Sequence, residues 1–143
     1  MDIALEEANA AAARGEVPVG AVITKAGQII SREGNRMRER IDPTAHAEVL
    51  AIRAACQILQ TERLTDCDLW VTLEPCPACA GSIAAARLKR LYYAAPDPKS
   101  GGITQGPRVF DHPQSHHKPE VYTGLLEDQS AALLRAFFAN RRR

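Results

Sequence analysis

The sequence predicts an α/β fold: a layered domain built on a mixed sheet of about five strands, with helices on both faces. Segments of helical and strand character alternate along the chain. The run DLWVTL at residues 68–73 is apolar on both faces, as an interior strand covered by helices must be. Two β-type runs flank a short Lys25-Ala26-Gly27 turn, which supplies an antiparallel hairpin beside strands joined by helical crossovers. The chain's 143 residues, 45% hydrophobic and 24% charged, suit one globular domain over residues 1–143 with a proper core.

The elements follow in order. Ile3, Leu5, Ala8 and Ala12 form an apolar stripe, so residues 3–14 read as a helix that Gly15 ends. Val19 to Thr24 and Gln28 to Arg32 are the hairpin strands. Residues 34–45 hold Gly, Asn, Asp and Pro and read as a loop, with Thr44 placed to cap a helix from Ala45 to Leu59. Pro75 forces Glu74 to be extended and so ends the strand 68–73. Pro77 suits the first position of a helix reaching about Leu88. Arg90 to Ala94 is a further strand. Residues 95–119, with five prolines, form a long irregular segment of the kind that carries function. Glu120 to Thr123 is a short strand. The chain closes on a helix from Leu126 to Arg142, where Leu133–Phe137 and Leu134–Phe138 pair at i,i+4.

Several classes are excluded or weakened. No apolar run approaches the ~20 residues of a membrane span. Asp2, Glu6 and Glu7 stand where a secretory leader carries positive charge, so a cytoplasmic protein is expected. Net charge is +1, so no chain-wide basic footprint for nucleic acid exists. Local basic clusters remain at Arg36, Arg38 and Arg40, at Arg87, Lys89 and Arg90, and at Arg141 to Arg143; each taken alone reads as a solvated face. Trp70 reads as core, and Cys56 and Cys67 as buried packing.

The chemistry concentrates at two helix starts. His46 and Glu48 head one helix, in DPTAHAEVLAI; Cys76 and Cys79 head another, in LEPCPACAG. At i,i+3 the two sulfurs share a face, and a helix N-terminus stabilises thiolates. If the two helices start side by side, one imidazole and two thiolates converge, a donor set that suits zinc. Three protein ligands leave a fourth position for water, whose pKa zinc lowers from 15.7 to about 7. Glu48, in the first turn, can then sit beside that water without ligating the metal. Two rivals stand at this level. A C-x-x-C redox pair leaves His46 and Glu48 without a role. A closed structural site needs a fourth ligand from Cys56, Cys67, His112, His116 or His117, none at ligand spacing.

The pair H-A-E and P-C-P-A-C matches the H-x-E…P-C-x-x-C pattern of zinc nucleobase deaminases. Together with EVPVGAV at 16–22, Asn35, DPTAHAE at 42–48, VTLEPC at 71–76, CAG at 79–81, DPKSGG at 97–102 and the ending LLRAFFANRRR, the chain resembles the bacterial tRNA-specific adenosine deaminases over nearly its whole length. The resemblance implies a three-layer α/β/α cytidine-deaminase-like fold, a homodimer, one Zn²⁺ per subunit, and conversion of adenosine to inosine at the wobble position of a tRNA anticodon stem-loop. It assigns zinc to His46, Cys76 and Cys79 and proton transfer to Glu48, with zinc-activated water attacking C6 of the flipped adenine. It puts Asn35, Ala47, Asp97, Lys99 and Ser100 at the substrate. Asn35, following Gly34, equally suits a turn. The chain departs from the pattern at His116-His117, where Asn-His is usual. Two other functions fit the same motifs: deamination of a free base or nucleoside, such as guanine or cytidine, and a noncatalytic zinc-stabilised RNA-binding module.

Overall fold

The computed structural model describes residues 1–141; Arg142 and Arg143, part of the expected basic terminus and closing helix, lie outside the described residues. Five strands form one sheet: β1 (Gly20–Lys25), β2 (Gln28–Gly34), β3 (Cys67–Leu73), β4 (Arg90–Ala95) and β5 (Glu120–Thr123), in the order β2-β1-β3-β4-β5. The β1 pairings with β2 and β3 are antiparallel, whereas β3–β4 and β4–β5 are parallel. The sheet is therefore mixed, with DLWVTL at its centre as its two apolar faces require.

Helices cover both faces. α1 (Asp2–Ala13) and α5 (Glu127–Arg141) pack on one; α3 (Ala47–Leu59) and α4 (Pro77–Ala86) pack on the other and against each other. The period of two along each strand sorts the side chains. Ala21, Ile23, Leu69, Val71, Leu91 and Tyr93 join Ala51, Ala55, Ala80 and Ile83 in the α3/α4 core. On the other face, α1 comes unusually close to the sheet. It buries only alanines there, Ala4, Ala8 and Ala11, and β1 meets them with Gly20, where a Cβ would lie 1.9 Å from the Ala4 carbonyl oxygen. Trp70 also points to this face. It is half-buried, donates its indole N–H to Thr24 Oγ1 at 3.0 Å, and stacks on Tyr92 with ring centroids 3.8 Å apart. Ser130 of α5 donates its hydroxyl to the Thr72 carbonyl and so pins α5 to β3.

Three local readings are corrected. Residues 34–45 are not all loop: β2 runs on to Gly34, and Met37–Arg40 form a one-turn helix, α2. Four residues are too few to show helical periodicity, and Ile41 closes the turn at φ 50° without a glycine, although β-branched residues rarely adopt that region. Thr44 does not cap α3. Its amide and hydroxyl both donate to Asp42 Oδ1, and His46 itself holds the N-cap position. The closing helix begins at Glu127 rather than Leu126, which takes φ 56°. In the irregular segment, Val109–Asp111 form a 3₁₀ turn.

Candidate active site

The parallel strands β3 and β4 end at one edge of the sheet, where α4 begins and the 96–105 loop departs. β1 starts and β2 ends at the same edge, so the lead-in to α3 arrives there too. Crevices outside the carboxyl ends of such strands are where open α/β sheets bind ligands. A cleft of about 250 Å³ lies there, lined by His46, Glu48, Asn35, Cys76, Asp97 and Ser100 together with Val17, Val19, Met37, Leu73 and Glu74.

His46 and Cys76 each occupy the N-cap of their helix with extended backbone, φ −75° and −70°. Pro77 takes the first turn of α4, where its missing N–H costs nothing. The two helix tips thus meet, the condition on which the convergence of the imidazole and the two sulfurs depended. His46 Nδ1 lies 3.3 Å from Cys79 Sγ and 3.8 Å from Cys76 Sγ, and all three donor atoms fall within 4.8 Å of one another. Tetrahedral zinc with bonds of about 2.3 Å to sulfur and 2.0–2.1 Å to nitrogen places N and S about 3.6 Å apart, between the two observed distances. One borderline and two soft donors at this spacing fit zinc. Among the described residues, no fourth His, Cys, Asp or Glu joins the cluster. Two of the three histidines considered for a closed shell are engaged elsewhere, His112 on the Pro107 carbonyl at 2.9 Å and His117 on that of Leu88 at 2.6 Å, and His116 lines a different hollow.

The electrostatics are those of a coupled thiol pair. Hydrogen bonds from Cys79 and then His46 hold the Cys76 thiol down at about 4, against the desolvation that opposes them. The same Cys76 contact, with burial, pushes Cys79 above the ordinary thiol range. His46 is raised chiefly by its hydrogen bond with Cys76. A bound dication deprotonates coordinating thiols outright. Glu48 faces the cleft but is only 4% exposed, and that burial raises its carboxyl pKa, the condition of a group able to take and return a proton.

The remaining expected residues divide. Asn35 is buried at the cleft wall, and its Oδ1 accepts the Ala47 N–H at 2.8 Å. It thus satisfies the first amide of α3 and holds the His46 tip; it follows β2 outside any turn, and it lines the cleft. Ala47 is fully buried with that amide engaged, and it does not line the cleft. Asp97 accepts the N–H groups of Lys99 and Ser100 at 3.1 Å each; Ser100 reaches the cleft, whereas Lys99 is exposed outside its lining. Two of the basic residues considered for RNA are tied internally, Arg36 to Glu33 and Glu39, and Arg90 to Asp68 and Glu120.

Two buried carboxylates went unforeseen. Glu16 accepts the N–H groups of Arg38 and Glu39 at 3.1 and 2.9 Å, holding the start of α2 on one side of the cleft. Glu74 accepts main-chain N–H groups of the 97–105 loop on the other. Each is an acidic residue beside an apolar run, VPVG or VTL, inside a segment that carries the family resemblance, and neither signal gives its main-chain partners.

Comparison with known proteins settles the family. A family model described as MafB19-like deaminase matches residues 1–142. A tRNA-specific adenosine deaminase of Agrobacterium fabrum is 54% identical over 142 residues, covering 99% of this chain and 93% of that protein. The chain belongs to the tRNA-specific adenosine deaminase family. Among solved structures, one from work on A-to-I editing by tRNA:A34 deaminases at the wobble position of transfer RNA superposes with a TM-score of 0.93 at 54% identity, covering 94% of this chain and 97% of that one. A guanine deaminase from Nitrosomonas europaea has a TM-score of 0.84 at 27% identity, covering 96% and 82%. The mixed five-stranded sheet is thus the cytidine-deaminase-like fold, and the chain is a hydrolytic deaminase by family.

Proposed function

We propose that this deaminase converts adenosine to inosine at the wobble position of a tRNA anticodon, as a single zinc-dependent domain acting in the cytoplasm. The observation that carries the reading is the cleft: a His46–Cys76–Cys79 donor set of zinc spacing with no fourth side chain among the described residues, and buried Glu48 beside it. The 54% identity to an A34 deaminase structure, against 27% to the guanine deaminase, favours tRNA over a free base.

His46, Cys76 and Cys79 would hold one Zn²⁺, which supplies the Lewis acidity that makes water nucleophilic near neutral pH. Glu48 takes the proton from the attacking water as the O–C6 bond forms and delivers it to ring N1. It then carries the second proton to N6, so that the C6–N6 bond breaks and ammonia leaves. Asn35, Asp97 and Ser100 border the space the extruded base would fill, with Ala47 acting indirectly through Asn35 and Lys99 at the outer rim. Recognising one splayed loop nucleotide requires an open pocket mouth.

The exposed face of α3 and α4 supports a homodimer. Val49 and Ile52 are only half-buried, Gly81 and Ala85 are exposed, and hollows of about 390 and 630 Å³ flank them. Sedimentation at micromolar concentration should give twice the 15.6 kDa chain mass.

Zinc-loaded protein should form inosine in a tRNA transcript bearing A at the wobble position and leave guanine, cytidine and free adenosine unchanged. Turnover of guanine or cytidine with intact tRNA would replace this reading with the free-base one. A noncatalytic RNA module would bind the transcript without product.

A further inference from the structure

Glu74 directly follows β3 at 2% exposure, and no lysine or arginine pairs with it among the described residues. A lone buried carboxylate is costly unless other donors compensate it. Here the donors are chiefly main chain, with the Thr104 hydroxyl at 3.5 Å from Oε2 as the one side-chain donor among the described residues. Oε1 accepts the Asp97 N–H at 3.0 Å; Oε2 accepts those of Ile103, Thr104 and Gln105 at 3.1, 2.9 and 3.0 Å. The loop is wrapped round this anion. Gly101 passes so close that a Cβ would lie 2.6 Å from the Glu74 carboxyl carbon, and at Gly102 one would lie 2.7 Å from Pro77 N, against the start of α4. Gly102 N–H also donates to the Pro75 carbonyl at 2.8 Å. The carboxylate therefore joins the cleft wall that carries Asp97 and Ser100 to the helix tip that carries Cys76.

We infer that Glu74 is a positioning residue for substrate: its buried charge templates the 97–105 loop and sets the cleft wall against which the target nucleotide is held. The main-chain donors fix the need for an anion. In Glu74→Gln the amide nitrogen would face either the Asp97 N–H or the three N–H groups now on Oε2, so at least one of the four acceptor bonds becomes N–H against N–H. The role rests on the tRNA reading for its kinetic consequence, but the loop's dependence on the carboxylate does not.

Zinc-loaded wild type, Glu74→Gln, Glu74→Ala and Gly101→Ala are compared by hydrogen exchange, zinc content and kinetics on an anticodon stem-loop. The expected result is zinc retained, β3 and α4 protected, and the 97–105 amides exposed in Glu74→Gln. The stem-loop KM should rise more than kcat falls, with kcat/KM down about 10²-fold, the size of loss a misplaced binding wall produces. Formate should restore loop protection in Glu74→Ala by filling the vacated carboxylate site, and chloride at the same ionic strength should not. If Glu74→Gln loses protection throughout, Gly101→Ala decides, since it displaces the loop with Glu74 intact. A loop that stays protected in Glu74→Gln, a loss confined to kcat, or a formate arm no different from chloride overturns the inference. Wild type inert on the stem-loop defeats the tRNA reading instead, and exchange with formate still decides the loop's dependence on Glu74.

Discussion

Glu48→Gln isolates the proton-transfer step. The substitution keeps shape and removes only the capacity to accept and return a proton. General acid–base catalysis contributes roughly 10²–10⁴-fold, and the structure places this case at the upper end. A substitute base would have to come from the carboxylates lining the same cleft. Glu74 already accepts four main-chain N–H groups and Asp97 two, so neither is free to take over. Glu48 is also shielded from bulk water at 4% exposure. The expected loss is therefore about 10⁴ in kcat, or about 5.4 kcal/mol at 1.36 kcal/mol per decade. Zinc content should be unchanged, because Glu48 is not one of the three clustered donors. The assay is single-turnover inosine formation with the metal quantified in the same sample. A loss under tenfold with zinc retained would refute the assignment of Glu48.

Two further outcomes follow from the same geometry. In metal-free protein Cys76 should alkylate at a rate flat from pH 8 to about 5 and decline only as pH falls through about 4, where its thiolate is lost. Zinc should block the reaction, Cys56 and Cys67, both raised by burial, should lag, and a midpoint near the ordinary thiol value of about 8.5 would contradict the coupled pair. Gly20→Ala should push α1 off the sheet, because the obstacle 1.9 Å away is main chain, the Ala4 carbonyl. Overpacking costs about 1–3 kcal/mol, and the upper figure lowers Tm by about 10 °C, readable by calorimetry; a shift under about 2 °C would show that the helix yields freely.

The features legible in the sequence are those whose signal is local. His46, Cys76 and Cys79 announce themselves because each sits where a helix starts, and Pro75 and Pro77 mark one of those starts. The sheet's centre is legible because β3 is apolar on both faces. What escaped depends on partners far along the chain. α2 is a single turn whose N–H groups are met by Glu16, about twenty residues earlier. Glu74 binds amides 23 to 31 residues later, and a main-chain donor leaves no mark on side-chain pattern. Asn35 read as substrate contact or turn residue because its acceptor role toward Ala47 exists only once β2 and α3 are docked.

The central claim is a three-ligand zinc with a position left for solvent. Zinc K-edge absorption fine structure on the loaded protein tests it most directly. Two sulfur scatterers near 2.3 Å and two light scatterers near 2.0–2.1 Å are expected, with one of the light pair lost as imidazole in His46→Ala. A shell of three or four sulfurs, or two distinct imidazole signatures, would contradict it.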